Sequence, residues 1–165
     1  GMVAGDTGVL LNNHMDDFSI GIGKGNAYEL VGNRVNGIKP GKRPLSSMSP
    51  TFVESEEGVL MLGTPGGSRI ISMVILSVLE HLSNLGSDPK NIVALPRYHH
   101  QYLPDRVQIE PESFDQSWIS SLEALGHNVQ VYRRKWGNMQ AIYCEKYTYK
   151  CVTLNDPRGK AGVVF

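Results

Sequence analysis

The run from Gly58 to Gly86, GVLMLGTPGGSRIISMVILSVLEHLSNLG, constrains the fold more than any other part of the chain. Val59 to Leu62 has the composition of a short strand, and a glycine-rich turn, GTPGG, follows it. The spacing then predicts a helix from Ser68 to Leu85, with Gly86 placed as its stop. Ile70, Ile71, Met73, Val74, Ile75, Leu76, Val78, Leu79 and Leu82 leave that helix only a narrow polar stripe, so it is expected to be largely buried. A strand passing through so tight a turn into a buried helix belongs to a mixed α and β architecture.

The remaining segments agree with that reading. Val9 to Leu11 reads as a strand entering the polar loop Asn12 to Asp17. Ser19 to Ser49 lacks apolar periodicity and is loop by composition. Phe52 to Glu54 and Val59 to Leu62 bracket the acidic turn SEEG as a hairpin. Asp88 and Pro89 form a cap and first-turn pair for a short helix that Pro96 would end. Arg106 to Glu110 reads as a strand, and Ser113 to Leu125, closed by Gly126, as an amphipathic helix with Phe114, Trp118, Ile119, Leu122 and Leu125 on one side. Strand-like runs follow at Asn128 to Arg133, Met139 to Cys144 and Lys150 to Leu154. The fold class expected is therefore α+β, in a single domain over residues 1–165.

Sixteen basic and sixteen acidic side chains give no net charge, so the overall field attracts neither nucleic acid nor an anionic membrane. No apolar run has the length of a transmembrane segment, and the start lacks a secretory pattern. Gly1 and Met2 read as an expression remnant and a chosen start, which leads us to expect that the chain begins inside a longer protein. Cys144 and Cys151 flank CEKYTYKC, a segment able to turn back as a hairpin. Sequence leaves open whether they are bridged or remain two thiols, and their spacing fits no zinc pattern.

Three motifs have the makings of a site. The first, GTPGGSR at Gly63 to Arg69, would expose backbone N–H groups at the positive end of a helix, where an anionic or polarised oxygen can approach residues without a Cβ. The lysine and hydroxyl of a phosphate-binding loop are missing after it, which favours an oxyanion hole over a phosphate cradle. In the second, RPLSSMSP, prolines hold Ser46 and Ser47 in extended backbone, able to present hydroxyls to a carboxylate. The third, NNHMDDFS, offers Asp16 and Asp17 to an ammonium group, and neighbours on extended chain diverge, so one of the two is expected to face a site. Taken singly, each motif is as readily a plain turn or a solvated loop.

Taken together, VAGDTGVLLNNHMDDFS, GKRPLSSMSP, GTPGGSR and PRYHHQYLPD resemble, in order and approximate spacing, the small subunit of the γ-glutamyltransferases. The resemblance covers nearly the whole chain and weakens after about Glu112. It implies an N-terminal-nucleophile hydrolase fold, two sheets between helix layers, of which this chain would be part. It also implies a precursor that cuts itself and a new N-terminal threonine that takes a γ-glutamyl group from glutathione or a similar donor. Water or an amino acceptor then releases the group. By the same resemblance Gly66 and Gly67 are the oxyanion-hole pair, Ser46 and Ser47 bind the donor's α-carboxylate, and Asp17 holds its α-amino group. The family suggests a periplasmic or extracellular setting, and no cofactor or metal is expected.

Two departures from the family stand out. His14 replaces the usual Glu or Gln; it can accept a hydrogen bond from an ammonium when neutral and repels it when protonated, so donor binding is expected to weaken at acid pH. The threonine start of the small subunit has no counterpart before Val3. Such an enzyme uses its own α-amine as base, so this chain alone is expected to be inactive. The large subunit and the start of the small subunit are its expected partners, and self-association through faces they would cover is expected without them. His99 and His100 invite a metal reading, but adjacent side chains diverge and no third ligand is evident, so structural roles are expected. Two other identities remain: a related acylase such as a cephalosporin acylase, which Asp17, Ser46 and Ser47 argue against, and a non-catalytic module derived from the enzyme.

Overall fold

Residues 1–46 carry little that could hold them together by burial. Phe18 is their one buried hydrophobic side chain among the residues described by this computed structural model, which are 2–84 and 89–159. The short strands β1 (Met2–Val3) and β2 (Leu10–Leu11) pair antiparallel, with Met2 opposite Leu11. The polar cluster after them winds into a 3-10 turn, His14–Asp17. Beyond it the backbone is largely irregular, as the composition suggested, and asparagines organise it. The Asn26 side chain accepts from the N–H groups of Tyr28 and Leu30, and Asn33 caps a further 3-10 turn, Arg34–Asn36, by accepting from Val35 N–H. Backbone contacts group into two units, Gly1–Ser46 and Ser47–Phe165. The first is built on polar contacts and the second on an apolar core.

The second unit begins with the expected hairpin. Strands β3 (Thr51–Glu54) and β4 (Gly58–Gly63) pair antiparallel, and Ser55 Oγ accepts from Glu57 and Gly58 N–H to close the acidic turn. Helix α1 (Arg69–Ser83) follows the glycine turn; its expected stop at Gly86 and the Asp88 cap both lie outside the described residues. After a 3-10 turn, Pro89–Val93, come β5 (Tyr98–His99), β6 (Val107–Ile109), α2 (Gln116–Ala124) and β7 (Val129–Val131). Strands β6 and β7 run parallel, which requires a crossover, and α2 supplies it. Finally β8 (Gln140–Glu145) and β9 (Cys151–Asn155) complete an antiparallel sheet of order β3-β4-β8-β9, while β5, β6 and β7 form a second sheet. The α+β class expected from sequence is what the chain adopts.

Alternation along β4 sends Leu60 and Leu62 to one face. With Ala141 and Leu154 they meet Ile70, Met73 and Val74 of α1 in the main core. The expectation of a largely buried α1 is corrected here. Ile71, Ile75, Leu79 and Leu82 are each about half exposed, on the face turned away from that sheet. These residues recur at helical spacing and so form a continuous apolar stripe. Across the sheet from α1, Phe52 and Ile142 are exposed as well.

Cys144 and Cys151 stand opposite one another in the β8–β9 register and are joined by a disulfide. A second feature was not visible in sequence. Glu110 and Asp156, both buried, lie among Arg97 and Arg158. Arg158 Nη2 donates to Glu110 Oε2 at 2.5 Å, and Arg97 Nη2 donates to Asp156 Oδ2 at 2.5 Å. The remaining lone pairs accept from backbone: Glu110 from Arg97 and Trp136 N–H, Asp156 from Met139 and Arg158 N–H. Burial opposes ionisation of Asp156, but those N–H groups and Arg97 outweigh it and hold its carboxyl below the usual range.

His81, buried near the end of α1, packs edge-on against Tyr143 with Nε2 unpaired. Burial lowers its pKa, against an opposing pull from Glu57. At neutral pH both folded and unfolded forms are uncharged. As pH falls through about 6.5 the unfolded chain takes the proton more readily, and stability is lost. His81→Phe, which keeps the ring contact, is expected to shrink the fall in thermal midpoint between about pH 7 and 5. An unchanged slope in a melting series across that range would refute it.

Candidate active site

The turn between β4 and α1 owes its shape to residue choice. Pro65 fixes one φ, and Gly66 and Gly67 take φ values of +154° and +58°, which residues bearing a Cβ rarely adopt. A Cβ on Gly66 would also lie 2.6 Å from Met73 Cε. The carbonyls of both glycines are occupied, accepting from Arg69 N–H at 3.2 Å and Ile70 N–H at 3.1 Å as α1 starts. Their own N–H groups differ: among the described residues neither donates to a protein acceptor, and both glycines are only half buried. Unpaired amides at a helix start carry the positive end of its dipole and suit an oxygen that gains negative charge.

Side chains from outside α1 fasten this turn. Thr64 Oγ1 accepts from Asn138 N–H at 3.1 Å. Ser68 Oγ donates to Gln101 Oε1 at 2.8 Å, and Arg69 donates through Nε and Nη2 to Gln108 Oε1. The Arg69 guanidinium also lies 4.6 Å from the Tyr132 ring centre and 5.2 Å from that of Trp136. Gln101 and Gln108 were not singled out in sequence; PRYHHQYLPD was visible as a motif, but nothing local pointed to its glutamine.

In the first unit, the 3-10 turn distinguishes the two adjacent acids. Asp16 Oδ2 accepts from Ala27 N–H at 2.9 Å, whereas the half-buried Asp17 carboxylate has no protein partner among the described residues. Asn36 joins this turn to the chain before Ser46: its Nδ2 donates to Asp17 O at 2.7 Å and its Oδ1 accepts from Leu45 N–H at 2.9 Å. His14 is exposed, with its N–H donated to Asn12 Oδ1. Ser46 is exposed and Ser47 half buried, and the boundary between the two units passes between them. Thus Asp17, His14 and Ser46 belong to the first unit, and Ser47, Gly66 and Gly67 to the second.

The paired histidines diverge. His99 is buried between Ser72 and Gln101, while the exposed His100 meets Asp105 at 2.8 Å. Among the described residues no three His, Cys, Asp or Glu side chains are grouped to hold a metal, and no helix is long and apolar enough to cross a membrane.

Comparison with known proteins places the chain in one family. The family model described as gamma-glutamyltranspeptidase matches residues 1–165. A glutathione hydrolase proenzyme of Escherichia coli strain K12 is 44% identical over 143 residues, covering 86% of this chain and 24% of that protein. The chain thus spans about a quarter of the length of that curated relative. Scoloptoxin SSD20 of Scolopendra dehaani is 37% identical over 156 residues, 87% of this chain and 78% of that protein. Among solved structures, a gamma-glutamyltranspeptidase from Pseudomonas nitroreducens superposes with a TM-score of 0.84 at 38% identity, covering 99% of this chain and 86% of the matched one.

Proposed function

Since this chain belongs to the γ-glutamyltranspeptidase family, an enzyme family with the N-terminal-nucleophile hydrolase fold, we propose that it is the greater part of the small subunit of an enzyme transferring γ-glutamyl groups from glutathione-like donors to water or amino acceptors. The observation that carries this reading is the pair of unpaired N–H groups at Gly66 and Gly67. A threonine at the start of the small subunit, outside these residues, attacks the donor's γ-carbonyl. The carbonyl oxygen becomes an oxyanion, held by the two glycine amides, and collapse of the intermediate expels the amine and leaves a γ-glutamyl ester. Water or an acceptor amine then attacks the ester and restores the threonine.

At the far end of the donor, Asp17 takes the α-ammonium and Ser46 and Ser47 the α-carboxylate. The unengaged Asp17 carboxylate supports that division of labour, since Asp16 is already bonded to Ala27. His14 adds an acceptor near the ammonium. In this reading the two units belong to one domain, and the large subunit covers apolar faces such as the α1 stripe. Without that cover the chain self-associates.

Release of the aniline from a γ-glutamyl anilide tests the reading. The chain alone is expected to be silent, and the complete two-subunit enzyme active. In the latter, Asp17→Asn is expected to raise KM for the donor by about 10- to 100-fold, the loss of a charge-assisted bond worth roughly 1.5–3 kcal/mol. Turnover by the chain alone, or an unchanged KM, would count against it. A second reading, a non-catalytic module, draws support from Scoloptoxin SSD20, most of whose length this chain covers. A complete protein without turnover would favour it.

A further inference from the structure

Behind the glycine turn runs a closed chain of hydrogen bonds whose direction can be worked out link by link. Gln101 Nε2 donates to the Leu103 carbonyl at 2.8 Å. A carbonyl can only accept, so the amide oxygen of Gln101 must point the other way, where it meets Ser68 Oγ at 2.8 Å and His99 Nε2 at 2.9 Å. An amide oxygen also only accepts. Both neighbours are therefore donors, which assigns the proton of the His99 ring to Nε2 and leaves Nδ1 to accept from Ser72 Oγ at 2.7 Å. Burial, with Arg69 and His100 acting in the same sense, lowers the His99 pKa against the Gln101 hydrogen bond and so favours the neutral ring that this direction requires.

The chain leaves α1 at Ser72, crosses to β5 at His99, and returns through Gln101 to Ser68 at the start of α1. Ser68 occupies the N-cap position, where a serine ordinarily accepts from an N–H of the first helical turn. No such bond forms here; its hydroxyl goes to Gln101 instead. A stabilising cap has been given up for a tether one residue beyond Gly67.

We propose that Gln101, oriented by His99, is a positioning residue that holds the Gly66 and Gly67 amides in place for the tetrahedral intermediate; this rests on the functional reading above. Donors that stabilise a developing charge act through preorganisation, and a misplacement of about 1 Å can cost about 100-fold in rate. The tether touches no group assigned to the donor's amino-acid end, so its loss should be felt in the transition state alone.

The test uses the complete enzyme, with turnover normalised to mature protein. Gln101→Leu is expected to lower kcat for the anilide about 10- to 100-fold with donor KM changed less than twofold. Affinity for a glutamate analogue bearing a γ-boronate, tetrahedral at the reacting atom, should fall by a similar factor while affinity for glutamate stays level. Gln101→Glu keeps an acceptor facing Ser68 and His99 and should recover most of kcat. Should Gln101→Leu fail to fold, Ser68→Ala removes only the tethered hydroxyl and is expected to lower kcat severalfold. Hydrogen exchange over residues 63–69, measured without substrate, should quicken in both variants. If the unmutated enzyme releases no aniline, the functional reading fails on its own account, and with it the role for the intermediate. If it turns over normally while both variants keep kcat and exchange within twofold, or if KM rises with kcat unchanged, the positioning role is overturned.

Discussion

Gly66→Ala in the complete enzyme is expected to reduce kcat for a γ-glutamyl anilide by about 100- to 1,000-fold, the cost typical of losing one oxyanion-hole donor. The substitution leaves the N–H in place and acts on its direction. At φ +154° a Cβ is strained, and it would sit 2.6 Å from Met73 Cε within the core. Met73 is fully buried against the central sheet, so the backbone of the turn is expected to move as well as the methionine. Donor KM should change little, because the groups assigned to the amino-acid end lie elsewhere in the chain. Steady-state kinetics on folded, mature protein decide the matter: a kcat within threefold of the unmutated value would remove the glycine pair from the mechanism.

The second large effect concerns stability. Glu110→Ala should cost about 3–5 kcal/mol, because it leaves two buried guanidiniums, Arg97 and Arg158, to share the single carboxylate of Asp156 and deprives the Trp136 and Arg97 N–H groups of their acceptor. Denaturant titration would measure it, and a loss below about 1 kcal/mol would mean that water or rearrangement rescues the arginine. The same cluster predicts an acid limb. Asp156 is held below the usual carboxylate range, so its contribution is complete above about pH 4, where even the unfolded carboxyl is ionised. It fades as pH falls through the lower folded value. Asp156→Asn should abolish that part of the acid limb while lowering stability at neutral pH.

How far sequence could lead differs from feature to feature. The hairpin before α1, the glycine turn and the β6–α2–β7 succession were legible because each is written in local spacing: alternation, helical period, and Gly or Pro at the joints. The exposed stripe of α1 was not. Ile71 and Ile75 look like core residues by composition, and only the sheet's position shows which side of the helix this chain covers. The charge cluster was hidden for a related reason. Glu110 and Asp156 are 46 residues apart, and an acid at the end of a strand reads as solvated until its partner is known. For the candidate site, the glycine turn and the two adjacent acids could be picked out as chemistry, and the family resemblance alone chose Asp17. The preference for Asp17 over Asp16 has a physical reason only now that Asp16 is found bonded to Ala27.

The bridge between Cys144 and Cys151 closes a loop with a separation of seven residues, too short to restrict the unfolded ensemble much. What it secures is parity. A slide of β9 by a single position would turn Leu154 outward, lift Thr153 into the core and carry Asp156 away from the Met139 amide. With one end of the strand stapled covalently and the other clasped by two arginines, such a slide would have to break the bridge's alignment and the ion pairs together.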